Sequence, residues 1–252
     1  MKRENLFLML CFILCSFLMC GCTNGLKKEI ASKTISDTVE FGRYNDKPIE
    51  WEILDKDDDN VLLISKYVID DKEFDETEIE SEDYEDAGWE NSSIRQWLNE
   101  DFFNDAFDKT EQKMILTSVN ENINGYVFLR KYDKHPERNS MEDVVEFKET
   151  EDKVFLLSVE EIEEYYGIIE ESYSLFSSSF AETKNTSGEE WPWWSRTVCY
   201  RLGKGIPGTS NYDPCMVGTN GMVNIPYLRG ETTALGIRPV IRVDVGSRFI
   251  GK

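Results

Sequence analysis

The sequence predicts an α+β fold in a single domain, from about Asp37 to Gly246. Short apolar stretches typical of strands alternate with helical segments that carry capping signals. These elements do not follow the regular strand–helix–strand order that indicates a parallel sheet. Hydrophobic residues make up 40% of the 252 residues, which is enough for a packed core. Neither an internal repeat nor a long linker divides this segment, and residues 247–252 are expected to be a short tail.

The first 21 residues resemble a bacterial secretion signal. Lys2 and Arg3 precede an apolar run over residues 6–19. That run is shorter than the roughly 20 residues of a comfortable membrane-spanning helix and suits the hydrophobic region of a signal peptide. An uncleaved signal anchor is the alternative interpretation.

The end of this signal is similar to a lipobox, in which a small residue precedes a cysteine that is lipidated and becomes the new N-terminus. Gly21 stands before Cys22, whereas the bulky Met19 stands before Cys20, so Cys22 is the better acceptor. We therefore expect an acyl anchor, such as palmitate, on Cys22. The polar segment over residues 22–36 is expected to be a tether between lipid and domain.

Two cysteines remain in the domain of the mature chain, Cys199 and Cys215. An oxidising extracytoplasmic environment favours a disulfide between them. Two buried free thiols are the alternative.

The domain begins with a strand pattern. Apolar and acidic residues alternate over residues 49–53, and a continuous apolar run over 61–64 predicts a strand buried on both faces. The acidic segment 55–60 between them predicts a hairpin turn. It does not match a calcium-binding EF-hand, because Asn60 replaces the required glycine and Lys66 the bidentate glutamate.

The middle of the chain predicts a solvated acidic loop over residues 70–90, followed by helices. Asn91 or Ser93 can cap the first helix. A capping-box pattern of Ser158 and Glu161 predicts another helix, ending near Tyr166.

Two further strands are predicted in the second half of the chain. Residues 153–157 form a short apolar run typical of a buried strand. Residues 236–243 are expected to form the last strand, and Pro239 would place that strand at an edge or a bulge, because proline cannot donate to a sheet.

Charge and composition exclude several classes of function. The chain has 28 Lys and Arg residues against 49 Asp and Glu, which gives a net charge of −21. This charge disfavours nucleic acid as a partner and direct adsorption to anionic lipid. The single histidine, His135, lies before Pro136 in a polar segment, so most zinc sites and histidine-based triads are excluded. We expect neither a metal nor a cofactor.

Six motifs in a specific order carry a resemblance to a known family. They lie at Ile49–Leu54, Leu62–Ser65, Trp89–Phe103, Asp152–Glu161, Trp193–Arg196 and Gly236–Pro239. Together they resemble a domain-of-unknown-function family found in exported lipoproteins and surface proteins of Gram-positive bacteria. The departures are an acidic insertion before Trp89 and a serine, Ser195, where a leucine is expected.

The resemblance implies no established activity. The Trp-Arg and Gly-x-Arg-Pro motifs of this family imply a fold similar to the C-type-lectin-like and formylglycine-generating-enzyme-like fold. The calcium-binding triplets of sugar-binding lectins do not occur here, so calcium-dependent glycan binding is not implied. The oxidase branch uses a closely spaced cysteine pair, whereas the sixteen-residue separation of Cys199 and Cys215 suits a structural bridge better.

The best candidates for a binding patch are Trp193, Trp194 and Arg196. Exposed tryptophan and arginine are common anchors of binding surfaces, although tryptophan is also a core residue. Arg95, Trp97 and Arg238 are expected to be structural, with each arginine tying loops to a carboxylate.

These observations favour a lipid-anchored module on the outer face of the cell membrane that binds a ligand, a glycan or a protein without catalysis. Two alternatives remain open. One is a structural or assembly subunit of a cell-envelope complex, and the other is an extracytoplasmic enzyme that depends on carboxylates alone.

Overall fold

The computed structural model describes most of the predicted domain. The described residues are 25–76, 88–125, 146–167, 176–177, 185, 187–200, 212–219, 222–224 and 234–246. The predicted signal peptide, Cys22 and His135 lie outside them. Within the described ranges, no helix combines the length and the apolar character needed to cross a bilayer.

The domain is of the α+β class and is built mostly from strands. In chain order the strands are β1 (Thr38–Tyr44), β2 (Lys47–Lys56), β3 (Asn60–Ser65), β4 (Asp70–Lys72), β5 (Ile115–Leu116), β6 (Ser118–Asn120), β7 (Thr150–Asp152), β8 (Phe176–Ser177), β9 (Trp193–Tyr200), β10 (Tyr212–Val217), β11 (Met222–Asn224), β12 (Leu235–Ile237) and β13 (Val240–Asp244).

The helices are short. They are α1 (residues 25–32), α2 (Ser93–Trp97), α3 (Phe103–Ala106), α4 (Glu111–Met114) and α5 (Val159–Tyr166), with a π-helical turn at Leu98–Phe102 between α2 and α3.

These strands form two larger sheets and one small one. The first sheet has the order β1-β2-β3-β13-β5 and is antiparallel throughout. The second has the order β4-β12-β9-β10-β11-β8 and contains one parallel pair, β12 with β9. Strands β6 and β7 pair separately. Both large sheets contribute to one continuous hydrophobic core.

The first sheet follows directly from its sequence pattern. The alternating residues of β2 bury Ile49, Trp51 and Ile53, and β3 is buried from Val61 onward, as predicted for a strand covered on both faces. The predicted turn joins them, with the Asp57 carboxylate accepting hydrogen bonds from the backbone that follows it.

A bulge in β1 depends on Gly42. The register of β1 and β2 shifts between Glu40 and Arg43, and Gly42 has a φ of 71°. A Cβ atom there would lie 2.7 Å from the Ala106 carbonyl oxygen and from the ring of Phe107. Glycine is required here because other residues rarely adopt this backbone conformation and because α3 packs too close to leave room for a side chain.

The capping predictions are confirmed in one case and shifted in the other. Ser158 and Glu161 form the full capping box of α5. The helix predicted to begin at Asn91 or Ser93 is instead capped by Ser92, whose hydroxyl accepts from the Arg95 amide.

The segment 153–157 is buried but is not a strand, so this prediction is wrong. Strand β7 ends at Asp152, and only Phe155 pairs in β fashion, with Val240. The side chain of Asn99 replaces a neighbouring strand: its Oδ1 accepts from the Lys153 and Val154 amides at 2.8 and 3.2 Å. The side chain of Asn99 thus accepts the backbone hydrogen bonds that a neighbouring strand would otherwise accept.

The predicted last strand is in fact two strands in different sheets. Arg238 and Pro239 separate β12 in the second sheet from β13 in the first. Strand β13 lies between β3 and β5, so the expected edge position is also wrong. Proline lacks an amide hydrogen, and Pro239 lies at the crossing between the two sheets, where none is needed for strand pairing. Its carbonyl accepts a hydrogen bond from the Ser65 amide at 2.9 Å.

Part of the expected tether packs against the domain. Residues 25–32 form α1, in which Ile30 is completely buried in the core. The Lys27 ammonium lies 2.8 Å from the Asp244 carboxylate, and the Lys56 ammonium donates to the Lys33 carbonyl at 2.7 Å. From Gly25 onward the segment therefore packs against the domain, because Ile30 is buried in the core and Lys27 is paired with Asp244.

Candidate functional site

A buried carboxylate, Asp152, organises the region of the domain that contains a polar pocket. Its Oδ1 accepts from the Arg95 Nε at 2.6 Å. Its Oδ2 accepts from the Trp89 indole at 3.0 Å and from the side chains of Asn120 and Thr150 at 2.8 Å each. The side chain is fully shielded from solvent. Four donors therefore replace the water that this carboxylate loses on burial.

Arg95 extends this network to the surface. Its Nη1 donates to the Glu90 carbonyl at 2.9 Å, while its Nε is held by Asp152. The guanidinium thus ties the start of α2 to β7 through a carboxylate, which is the structural role that the sequence suggested for it. Its side chain is 27% exposed, so one side of the guanidinium borders the solvent.

A polar pocket of about 370 Å³ lies over this network. Its lining comes from a 3₁₀ turn at Trp89–Asn91, from α2 and its N-cap, from the π-helical turn and from β7. The lining residues are Glu90, Asn91, Ser92, Arg95, Gln96, Asn99, Glu100 and Glu151. The volume falls in the range of small-molecule sites, although the walls are more polar than usual.

Three carboxylates and one guanidinium set the electrostatics of this pocket. Glu100 and Glu151 are exposed, whereas Glu90 is half-buried. Burial raises the pKa of Glu90, and hydrogen bonding from the Lys148 amide opposes that shift. The Oε2 atom of Glu90 is packed beside Gly88, where a Cβ would lie 2.5 Å away. Because Arg95 is paired with Asp152, the pocket is negative.

The predicted binding patch at Trp193, Trp194 and Arg196 does not lie on the surface. All three belong to β9, every residue of which is buried, and their exposures are 0, 1 and 4%. The Trp194 indole donates to the Lys72 carbonyl at 2.9 Å. Trp193 packs beneath the Arg238 guanidinium, 5.0 Å from its ring centre. As an exposed patch this prediction is wrong, because β9 lies between β12 and β10 within the second sheet.

Arg196 is held inside the domain by a second buried ion pair. Its Nη2 lies 3.0 Å from the Glu161 carboxylate, and its Nη1 contacts the other oxygen of that carboxylate. Nη1 also donates to the Leu156 carbonyl at 2.9 Å. The Arg196 guanidinium therefore joins β9 to α5, and its hydrogen bonds are made inside the domain.

The remaining predicted residues have structural surroundings. Arg238 is buried and donates from Nε to the Ser65 carbonyl at 3.0 Å, a backbone oxygen rather than the expected carboxylate. Trp97 is half-buried between Tyr44 and Phe102, with the Lys72 ammonium 4.5 Å from its ring centre. Cys199 and Cys215 are buried neighbours, with their sulfurs 3.7 Å apart.

Sequence reasoning missed Asp152 and Asn99, which hold the pocket walls. The available signal was their place in two of the motifs, because Asn99 lies in the Trp89–Phe103 motif and Asp152 begins the next motif. Over the residues described, no group of three or more metal-binding side chains is suitably placed for a metal ion.

Replacing Asp152 by asparagine should lower the free energy of unfolding by about 2–3 kcal/mol, because the Arg95 charge would lose its buried partner. Urea unfolding of both proteins measures this loss. Glu151→Gln, at the adjacent exposed position, is the matched control and should change stability by less than about 0.5 kcal/mol. A loss below about 1 kcal/mol for Asp152→Asn would contradict the central role of this carboxylate.

The half-buried carboxyl of Asp213 should make stability depend on pH. Burial raises its pKa to about 6, above the value of about 3.9 in an unfolded chain. The folded protein then binds the proton more tightly, so this contribution to stability falls as pH rises from about 4 to 6. After allowance for solvent screening, the difference between wild type and Asp213→Asn should change by about 1 kcal/mol across that window. Urea unfolding of both proteins at several pH values measures it, and a difference that stays constant across this window would contradict the prediction.

A family model shows where this domain belongs. The model of a domain of unknown function, DUF6273, matches residues 58–245. No curated protein and no solved structure matches the chain. The match spans the Asp152 network, the polar pocket and both buried ion pairs. Since it includes well over half of the sequence, the chain belongs to the DUF6273 family.

Proposed function

We propose that this protein is a lipid-anchored binding module on the outer face of the cell membrane and that its polar pocket binds a hydroxyl-rich ligand such as a glycan fragment. The observation that carries this proposal is the pocket of about 370 Å³, whose walls are fixed by the buried Asp152 network. The anchor is proposed on the sequence alone, from Gly21-Cys22 after the apolar run.

The chemistry of the pocket favours hydroxyl groups. Asn91 and Gln96 offer both donors and acceptors, and Glu100 and Glu151 add strong acceptors. Sugar hydroxyls donate and accept at once, so they match such a mixture. The negative charge of the pocket disfavours phosphate, sulfate and uronic acid groups, and a neutral or amino-bearing glycan is therefore the better partner.

The described surface favours ligand binding over an assembly role. Among the described residues, Ile35 and Val119 are the large apolar side chains that are exposed, at 60 and 63%. An obligate subunit contact would bury a much wider apolar face.

A carboxylate-dependent hydrolase is the second candidate, and Glu90 is the observation that favours it. Its pKa is raised by burial, as for a general acid, and it lines the same pocket as Glu100 and Glu151. Turnover of a bound oligosaccharide that is lost in Glu90→Gln would favour this candidate over simple binding.

We also infer that the fold is related to the C-type-lectin-like fold. The motif order and the Trp-Arg and Gly-x-Arg-Pro endings support this, and a mixed α+β domain with antiparallel sheets is compatible with it. Superposition of an experimental structure on members of that fold would test the relationship.

The pocket assignment predicts loss of binding without loss of stability. Purified protein is titrated with oligomers of glucosamine and N-acetylglucosamine, and with oligogalacturonic acid as the repelled control. Gln96→Ala and Glu151→Gln should each weaken binding about tenfold, the effect of one lost hydrogen bond to a polar ligand. The exposed Glu40→Gln, on β1, is the control variant and should bind as the wild type does. Equal affinity in all four proteins would contradict the pocket assignment.

The anchor proposal predicts that Cys22→Ala releases the protein from the membrane. Without the thiol no acyl chain can be attached, and the acidic domain alone has little affinity for anionic lipid. Fractionation of cells that express each protein, together with metabolic labelling by a fatty-acid analogue, measures retention and acylation. If the variant is processed and retained like the wild type, Cys22 is not the anchor.

A further inference from the structure

Two buried thiols in the second sheet lie close enough to react with each other. Cys199 is near the end of β9 and Cys215 is in β10, and their sulfurs are 3.7 Å apart. The two strands are antiparallel neighbours, with Asp213 opposite Cys199 and a shift of register between Pro214 and Met216. That irregularity places Cys215 beside Cys199. Because strand pairing holds the two backbones side by side, the sulfurs need to approach by less than about 2 Å to reach bonding distance.

The segment that follows β6 covers this pair. A Cβ atom at Gly125 would lie 2.4 Å from the Cys199 sulfur and 3.3 Å from the Cys215 sulfur, so the glycine backbone packs directly on both thiols. The preceding residue, Asn124, fixes this cover, because its side-chain amide donates to the Tyr200 carbonyl at 2.6 Å and accepts from the Tyr200 amide at 3.2 Å. Both cysteines are completely shielded from solvent.

We propose that Cys199 and Cys215 are joined by an intramolecular disulfide that is formed during folding and then sealed under Gly125. The oxidant is a disulfide of another molecule. One cysteine thiolate attacks it and releases a thiol, and the second thiolate then attacks the mixed disulfide and releases another. Two protons and two electrons pass to the oxidant, which leaves as two thiols.

This geometry indicates a structural bond rather than a catalytic one. An exchange-active disulfide needs one sulfur that a partner thiolate can reach. Here the cover over both sulfurs excludes a partner until the segment at Asn124 and Gly125 opens. The bond would close the segment between β9 and β10 and so restrict the unfolded chain.

The purified, reduced protein is refolded from urea in a mixture of reduced and oxidised glutathione, free thiols are then alkylated in denaturant, and the peptides are mapped. We expect a peptide containing Cys199 linked to one containing Cys215. The oxidised protein should have an unfolding equilibrium constant about 100-fold smaller than the reduced protein. In folded protein, the bond should react with dithiothreitol far more slowly than in urea.

Two variants keep the result interpretable. Cys215→Ala cannot form the bond, so its stability should be the same with and without reductant. Asp213→Asn, at the position opposite Cys199, retains both thiols and should still form the linked peptide. Recovery of Cys199 and Cys215 as alkylated thiols from wild type refolded in the glutathione mixture would overturn the proposal. Rapid reduction of the bond in the folded state would overturn its sealing under Gly125.

Discussion

The structure depends on one buried anion, the carboxylate of Asp152. Desolvating a carboxylate costs several kcal/mol unless its oxygens are fully hydrogen-bonded, and four donors from separate parts of the chain meet that need here. Trp89 comes from the 3₁₀ turn before α2, Arg95 comes from α2, and Asn120 comes from β6. Segments with little regular structure are thereby fixed in position, since moving any one of them would leave the charge poorly solvated.

The second ion pair, Arg196 with Glu161, acts by the same principle between β9 and α5. Glu161 accepts from the Ser158 amide as part of the cap of α5, and its carboxylate also contacts Arg196. One side chain thus begins a helix and neutralises a cation inside β9. Because the two roles share a carboxylate, the start of α5 and the position of β9 are coupled.

Local patterns predicted the parts of the fold that local physics determines. The alternating residues of β2 and the capping box of α5 depend on neighbours within a few residues, and both were recognised in the sequence. The burial of Trp193 and Arg196 depends on β9 lying between two other strands, which periodicity in one segment cannot reveal. The crossing at Pro239 was missed for a similar reason: one apolar run serves two different sheets, and only long-range pairing divides it.

The pocket lies at the surface beside the Asp152 network. Its residues are therefore of two kinds, those that hold the walls and those that project from them. Asp152 and Asn99 hold the walls, so changes there alter the fold. Gln96, Glu100 and Glu151 project from walls that are already fixed, so their replacement costs little stability. In the proposed binding role, a ligand would contact side chains whose backbone positions are already set, so less of its interaction energy would be spent on ordering them. Ligand preference can therefore change through these exposed positions while the buried carboxylate keeps the pocket in place.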